Sequence, residues 1–303
     1  MNKAFIDGSS GTTGLRIEQR LSERGDIEII KLPEELRKDT GARRDALNSS
    51  DVAFLCLPDA AAKESADLVE NTNTVVIDTS TAHRISEGWI YGFAELTGQR
   101  EKIASGKRIA NPGCHASGFI ALIKPLVEAG IVSPEENLSC FSLTGYSGGG
   151  KKMIAEYEDD ERDSLLNAPR MYALDQTHKH LPEMQKLCAL NNAPVFCPVV
   201  APFYAGMEVT VPLFHKSKAR IEDAYADYYN SGLVRFVKEE SEGGFLSAGA
   251  FAGRDDMHIS VYGTQERLIL TARFDNLGKG ASCAAIQNMN IAFGAEEYAG
   301  LVL

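Results

Sequence analysis

The sequence has no Cys-x-x-Cys pair, no internal repeat, no low-complexity linker and a single tryptophan. It also lacks any apolar run near the roughly 18–20 residues of a membrane-spanning helix. Its amino terminus, MNKAFIDGSSG, is a β-like run after one lysine, without the pattern of a secretory leader. Basic residues are in deficit: 31 Lys and Arg stand against 42 Asp and Glu, a net charge of −11. That balance argues against a general nucleic-acid or anionic-membrane surface. Six scattered cysteines, Cys56, Cys114, Cys140, Cys188, Cys197 and Cys283, are expected as reduced cytosolic thiols. Their spacing fits no zinc site, so no metal is expected.

What is present is globular: 44% hydrophobic and 24% charged residues place the chain outside the disordered and fibrous classes. At roughly 150 residues per domain, 303 residues predict two domains. In the first third, KAFIDG (3–8), IEIIKL (27–32), DVAFLCLP (51–58) and TVVIDTS (74–80) read as buried parallel strands. Amphipathic stretches alternate with them, at 12–24 and at 60–70 behind Asp59 as an N-cap. The alternation predicts a doubly wound α/β sheet of Rossmann type. Beyond residue 113 an apolar helix over 117–127 gives way to strand-like runs at 138–146, 195–201, 208–214, 257–262 and 267–274. With few intervening helices, these predict an α+β domain with a mostly antiparallel sheet. Residues 281–293 read as a last, small-residue-rich helix. The run EYEDDERD at 156–163 holds six acids and one arginine and reads as a solvated face.

Five motifs carry chemistry. Gly8-Ser9-Ser10-Gly11-Thr12-Thr13-Gly14 joins the first strand to a helix, the setting in which glycines let a pyrophosphate approach free helix-start N–H groups. At the end of the second strand stands Lys31, with Arg37 and Lys38 beyond; a basic residue there suits the 2′-phosphate of NADP rather than NAD. Asn111-Pro112-Gly113-Cys114-His115 puts a thiol at a strand–helix junction, where helix-start N–H groups favour a thiolate and an oxyanion. Thr177-His178-Lys179-His180 offers either histidine as acid/base partner. Asp78–Arg84 ends the fourth strand, so Arg84 could grip a phosphate or carboxylate, and the basic loop Gly145–Lys152 could approach an anion.

Together FIDGSSGTTGL, DTSTAHR, NPGCHASG, GYSGGGKK, HKHLPE and DNLGKGAS, in this order over nearly the whole chain, resemble the N-acetyl-γ-glutamyl-phosphate reductases of the shorter type. That family is similar in fold to aspartate-semialdehyde dehydrogenase. The resemblance implies NADPH-dependent reduction of N-acetyl-glutamyl 5-phosphate to its semialdehyde in arginine biosynthesis, through a thioester on Cys114. It implies His178 or His180 as acid/base, and Gly8, Ser10, Gly11, Thr12, Thr13, Gly14, Lys31, Ser80, Asn276, Gly278, Lys279 and Gly280 as cofactor contacts. Arg84, Asn111, Tyr146, Ser147, Gly148 and Lys151 would face the substrate. It also implies a split NADP-binding domain, 1–113 plus 281–303, around a catalytic domain, 114–280, in a homo-oligomeric cytoplasmic enzyme with no nucleic-acid or membrane partner. Three other readings stand beside it: an aspartate-semialdehyde or carrier-linked reductase on the same fold, an NADP-binding redox sensor, and a cysteine hydrolase.

Overall fold

The computed structural model describes residues 1–303, which divide into two compact units. One comprises Met1–Pro112 with Ala281–Leu301, the other Gly113–Gly280 with Val302–Leu303.

In the first unit β1 (Asn2–Asp7), α1 (Thr12–Ser22), β2 (Ile27–Ile30), α2 (Thr40–Ser49), β3 (Val52–Leu55), α3 (Asp59–Asp67) and β4 (Val75–Asp78) alternate. They are followed by β5 (Ile90–Tyr91), α4 (Gln99–Ser105) and β6 (Arg108–Ala110). The strands form one parallel sheet, order β2-β1-β3-β4-β6-β5. Helices cover both faces, which is why β3 and β4 are buried along their whole length. On one face Ile17 and Leu21 of α1 pack with Ile103 of α4; on the other Leu47 of α2 and Ala66 of α3 pack with Phe5 and Leu55. The order reverses between β1 and β3, the crevice where open α/β sheets bind ligands.

Asp59, expected as the cap of α3, is instead its first residue, behind Pro58. Its carboxylate accepts the Thr81 N–H at 3.0 Å and the Thr81 hydroxyl, tying α3 to the segment after β4. α2, unforeseen because its sequence is largely polar, is capped by the Asp39 carboxylate. Its Arg43 reaches back to Asp7 at 2.9 Å, and Ser65 donates to the same carboxylate at 2.6 Å. Those contacts hold the end of β1, from which the glycine loop departs.

The second unit opens with α5 (Cys114–Glu128) and β7 (Ser139–Gly145). It continues through α6 (Gly150–Glu158), β8 (Arg170–Met171), α7 (Leu181–Leu187), β9 (Val195–Ala201), β10 (Met207–Phe214), α8 (Lys218–Tyr228), β11 (Val234–Phe236), β12 (Met257–Gly263) and β13 (Arg267–Phe274). Its seven-stranded sheet, β11-β12-β13-β10-β7-β9-β8, is antiparallel except at β7·β9 and β11·β12. Those parallel neighbours require crossovers, supplied by α6 and α7 and by a long return, so the unit holds more helix than its strand-rich sequence announced. Alternation along β10 buries Met207, Val209, Val211 and Leu213 on one face. α5 lies on that face, its Gly118 so close that a methyl group would fall 2.4 Å from Val209. No helix of the chain is long and apolar enough to cross a membrane. The last helix, α9 (Cys283–Ala292), belongs to the first unit, where Ala285, Ile286 and Met289 pack on the same face as α1.

α5 runs through Pro125, which has no N–H to donate back to Ala121. The buried Tyr229 hydroxyl donates to that carbonyl at 2.8 Å, and Tyr225 donates to the Leu122 carbonyl at 2.6 Å. The proline is thereby tolerated and α8 is fastened to α5. Tyr229→Phe strands a buried carbonyl and is expected to lower stability by about 1–3 kcal/mol. Urea unfolding followed by circular dichroism checks this; an unchanged midpoint would refute it.

Candidate active site

The glycine loop follows β1 into the β1/β3 crevice. Gly8 has φ +89°, and a side chain there would meet the Cys56 carbonyl at 2.3 Å; one at Gly14 would meet the Gly8 carbonyl at 2.6 Å. Only glycines allow the loop to fold this tightly. α1 begins behind Gly11 with no side-chain cap, and the Thr12 hydroxyl is buried without a hydrogen-bond partner. Uncapped N–H groups, an orphaned hydroxyl and a compact glycine turn fit the pyrophosphate of a dinucleotide. Ser10 and Thr13 lie on the same turn. Lys31 is exposed beyond β2 and pairs with Glu18 of α1 at 2.7 Å.

Past β4, Asp78 organises the DTSTAHR segment. Its carboxylate accepts the Ser80 N–H at 2.9 Å, the Ser80 hydroxyl at 2.8 Å and contacts His83 Nδ1 at 2.6 Å. His83 stacks on Trp89 with centroids 3.9 Å apart. Arg84 donates to the carbonyls of Asn111 at 3.0 Å and Thr79 at 3.3 Å, so its guanidinium is oriented by backbone. The Asn111 amide donates to the Ala281 carbonyl at 2.9 Å and accepts from Asn288 at 3.2 Å. Asn111 thus fastens α9 within the first unit, a structural task that sequence reading did not assign to it.

In the second unit Cys114 is the first residue of α5, behind Gly113, which provides no side-chain cap. The thiol is half-buried. Gly280 lies against it: a side chain there would meet the Cys114 β-carbon at 2.9 Å. The turn that delivers Gly280 is built on Asp275, whose backbone carbonyl accepts the N–H groups of Gly278 and Gly280. Its carboxylate accepts those of Leu277 and Gly253. Lys279 on this turn is buried. Asn276 accepts the Gly206 N–H at 2.9 Å and donates to Ser147 at 3.0 Å, which joins two of the predicted segments. Beside them Tyr146 stacks on Tyr157 at 4.8 Å, Gly148 is exposed, and Lys151 is exposed at the start of α6.

The histidine segment is tied to the turn before Cys114 through Glu183. The loop before it places Ala173 (φ 51°) and Gln176 (φ 58°) in the left-handed region, a cost of order 1–3 kcal/mol each. Gln176 holds that shape by donating to the Phe196 carbonyl at 2.7 Å and accepting the Phe196 N–H at 2.8 Å, as a strand neighbour would. His178 is half-buried and its Nδ1 accepts the His180 N–H at 3.2 Å. His180 is buried, with Nε2 3.8 Å from Glu183 Oε1. The other oxygen of Glu183, itself buried, accepts the Gly113 N–H at 3.3 Å. One carboxylate therefore links a histidine to the turn that carries the cysteine.

Sequence reading missed three members of this cluster. His115, Tyr172 and Ser142 gave no short-range signal, although a serine at an inward position of β7 was a clue that something polar lies inside. His115 is buried, with Nδ1 2.6 Å from Ser142 Oγ and Nε2 2.7 Å from Tyr172 Oη.

N-acetyl-γ-glutamyl-phosphate reductases of Brucella suis and Brucella anthropi are each 45% identical to this chain over 306 residues, covering 96% of it and 99% and 98% of their own lengths. The chain belongs to that reductase family. A family model described as semialdehyde dehydrogenase, dimerisation domain, matches residues 114–276, and one described as semialdehyde dehydrogenase, NAD binding domain, matches 31–105. Among solved structures, aspartate semialdehyde dehydrogenase II of Vibrio cholerae shares the fold with a TM-score of 0.72 at 16% identity, covering 97% of this chain and 98% of its own. The Candida albicans aspartate semialdehyde dehydrogenase with NADP has a TM-score of 0.68 at 15% identity, covering 96% and 98%. This member of the reductase family thus carries the semialdehyde dehydrogenase fold.

Burial separates the reductase's thiols. Desolvation pushes Cys56 up to about 12 and raises Cys140 and Cys188 as well. Iodoacetamide at about pH 8 is therefore expected to label Cys114 ahead of these three, because the thiolate is the nucleophile. Peptide mapping checks the order; Cys56 labelled as fast as Cys114 would overturn it.

Proposed function

We propose that the chain reduces N-acetyl-glutamyl 5-phosphate to N-acetyl-glutamate 5-semialdehyde with NADPH, a step of arginine biosynthesis, through a thioester on Cys114. The observation that carries this reading is a half-buried thiol at an uncapped helix start, backed by histidines, in a chain 45% identical to reductases of that name.

The α5 N–H groups stabilise the Cys114 thiolate and then the oxyanion formed when its sulfur attacks the acyl carbon. The bond from that carbon to the phosphate oxygen breaks, phosphate leaves with the electron pair and takes up the reaction's one proton, and the thioester remains. Bound NADPH supplies the hydride that the thioester carbonyl carbon accepts. The carbon–sulfur bond then breaks, releasing aldehyde and restoring the thiolate. His178, whose Nδ1 accepts a backbone N–H, has Nε2 as its donor to the developing oxyanion. His180 and Glu183 hold that segment to Gly113.

The Gly8–Gly14 turn receives the pyrophosphate. Lys31 would hold the 2′-phosphate, and Ser80, Asn276, Gly278, Lys279 and Gly280 would complete the cofactor contacts. Arg84, Tyr146, Ser147, Gly148 and Lys151 serve the substrate's anionic groups. The enzyme works in the cytosol, consistent with six free cysteines. It assembles as a homo-oligomer, a dimer or tetramer, through the outer sheet face, where Phe141, Val195, Phe214 and Ile269 are exposed.

The assay runs in reverse, with N-acetyl-glutamate semialdehyde, phosphate and NADP, following the reduced cofactor. Cys114→Ser is expected to abolish turnover; retention of full activity would sink the thioester, and activity with aspartate semialdehyde alone would reassign the substrate. Lys31→Asp is expected to erode the preference for NADP over NAD, measured as a ratio of kcat/KM values. For assembly, Phe141→Asp with Ile269→Asp is expected to sediment as a monomer; an unchanged coefficient in ultracentrifugation moves the interface elsewhere.

A further inference from the structure

His115 follows Cys114 directly, yet on a helix successive side chains diverge, so it turns inward to become 3% exposed. Hydroxyls and aromatic rings pack on its ring. Ser142 of β7 lies at Nδ1 and Tyr172, just after β8, at Nε2. The rings of His178 and His180 stand 5.6 and 5.5 Å away, and Phe196 of β9 stands at 5.3 Å. Burial, reinforced by the neighbouring charge of His178, pushes its pKa down to about 3, so the imidazole is neutral wherever the enzyme works.

A neutral imidazole has one N–H and one bare nitrogen. Serine and tyrosine hydroxyls can each donate or accept, so the chain Ser142–His115–Tyr172 has two arrangements. In one, Nδ1 donates to Ser142 and Nε2 accepts the Tyr172 hydrogen. In the other, Ser142 donates and Nε2 donates to Tyr172, which frees the phenol hydrogen for another acceptor. Tyr172 stays a phenol, since burial raises its pKa, and its ring stands 5.9 Å from that of His178.

We propose that His115 is a positioning residue for the reaction at Cys114: bonded to both Ser142 and Tyr172, it fixes the Tyr172 hydroxyl within the histidine cluster tied to the Cys114 turn. This rests on the reading of Cys114 as nucleophile. The role differs from packing, because a residue that merely filled space would leave the pH profile of Cys114 alkylation unmoved.

The test is a double-mutant cycle of His115→Phe and Tyr172→Phe in the full-length enzyme, with folding followed by circular dichroism. His115→Phe is expected to lower kcat on the order of 10- to 100-fold, to leave KM for the acyl phosphate within about twofold, and to displace the pH profile of Cys114 alkylation by iodoacetamide. Adding Tyr172→Phe then costs less than about twofold more. His115→Gln, whose amide can reach the tyrosine, restores part of kcat. Losses that multiply in the double variant, or wild-type kcat and alkylation profile in His115→Phe, overturn the proposal. Should His115→Phe fail to fold, Ser142→Ala loosens only the Nδ1 side and is expected to displace the alkylation profile in the same direction; a wild-type profile there overturns it equally. Cys114→Ser separates the two readings. If it still turns over, the thioester fails; if it is dead while His115→Phe is unaffected, only the positioning role fails.

Discussion

Taking an ionisable group out of water penalises its charged form, and this one effect divides the second unit into reagents and scaffolding. The same interior that keeps His115 neutral raises the thiols of Cys140 and Cys188 and the phenol of Tyr225. Cys114 differs in place: it begins a helix, only half-buried, with α5 dipoles aimed at it. Reactivity here is a matter of where the helix starts. A cysteine one turn further along α5 would sit among Phe119, Ile120 and Leu122, all buried, and would join the silent thiols.

Around that start the polar groups are satisfied in pairs. Glu183 takes one N–H before the cysteine, Gln176 borrows both backbone groups of Phe196, and Asp275 gathers four N–H groups to deliver Gly280. Such networks fix geometry because an unmet partner in a low-dielectric interior is costly. The first unit uses the same device with Asp7 and Asp78, each at the carboxyl end of a strand in the parallel sheet.

Much of the architecture was legible because it is local. Short apolar runs marked β1 to β4, strand-like runs marked β10 and β13, and glycine spacing marked the turn into α1. The thiol at 114 and the histidines at 178 and 180 were visible as motifs. What stayed hidden depends on distant pairings. Nothing near Asn111 reveals that its amide is taken by Ala281 and Asn288, and nothing near His115 reveals Ser142 and Tyr172. The parallel pairing of β7 with β9 was unreadable for the same reason: an extended segment does not announce its neighbour. α2 and α8 escaped notice because weakly apolar helices offer little periodicity to read.

The return of α9 to the first sheet has a consequence for how the protein is made. During synthesis the strands β1 to β6 emerge first, but the face that Ala285, Ile286 and Met289 cover stays bare until nearly the whole chain is out. The second unit also takes in Val302–Leu303, so it too waits for those residues. The usual order, in which an amino-terminal domain matures first, is therefore closed to this fold. Until α9 docks, the parallel sheet keeps an exposed apolar face for chaperones to shield.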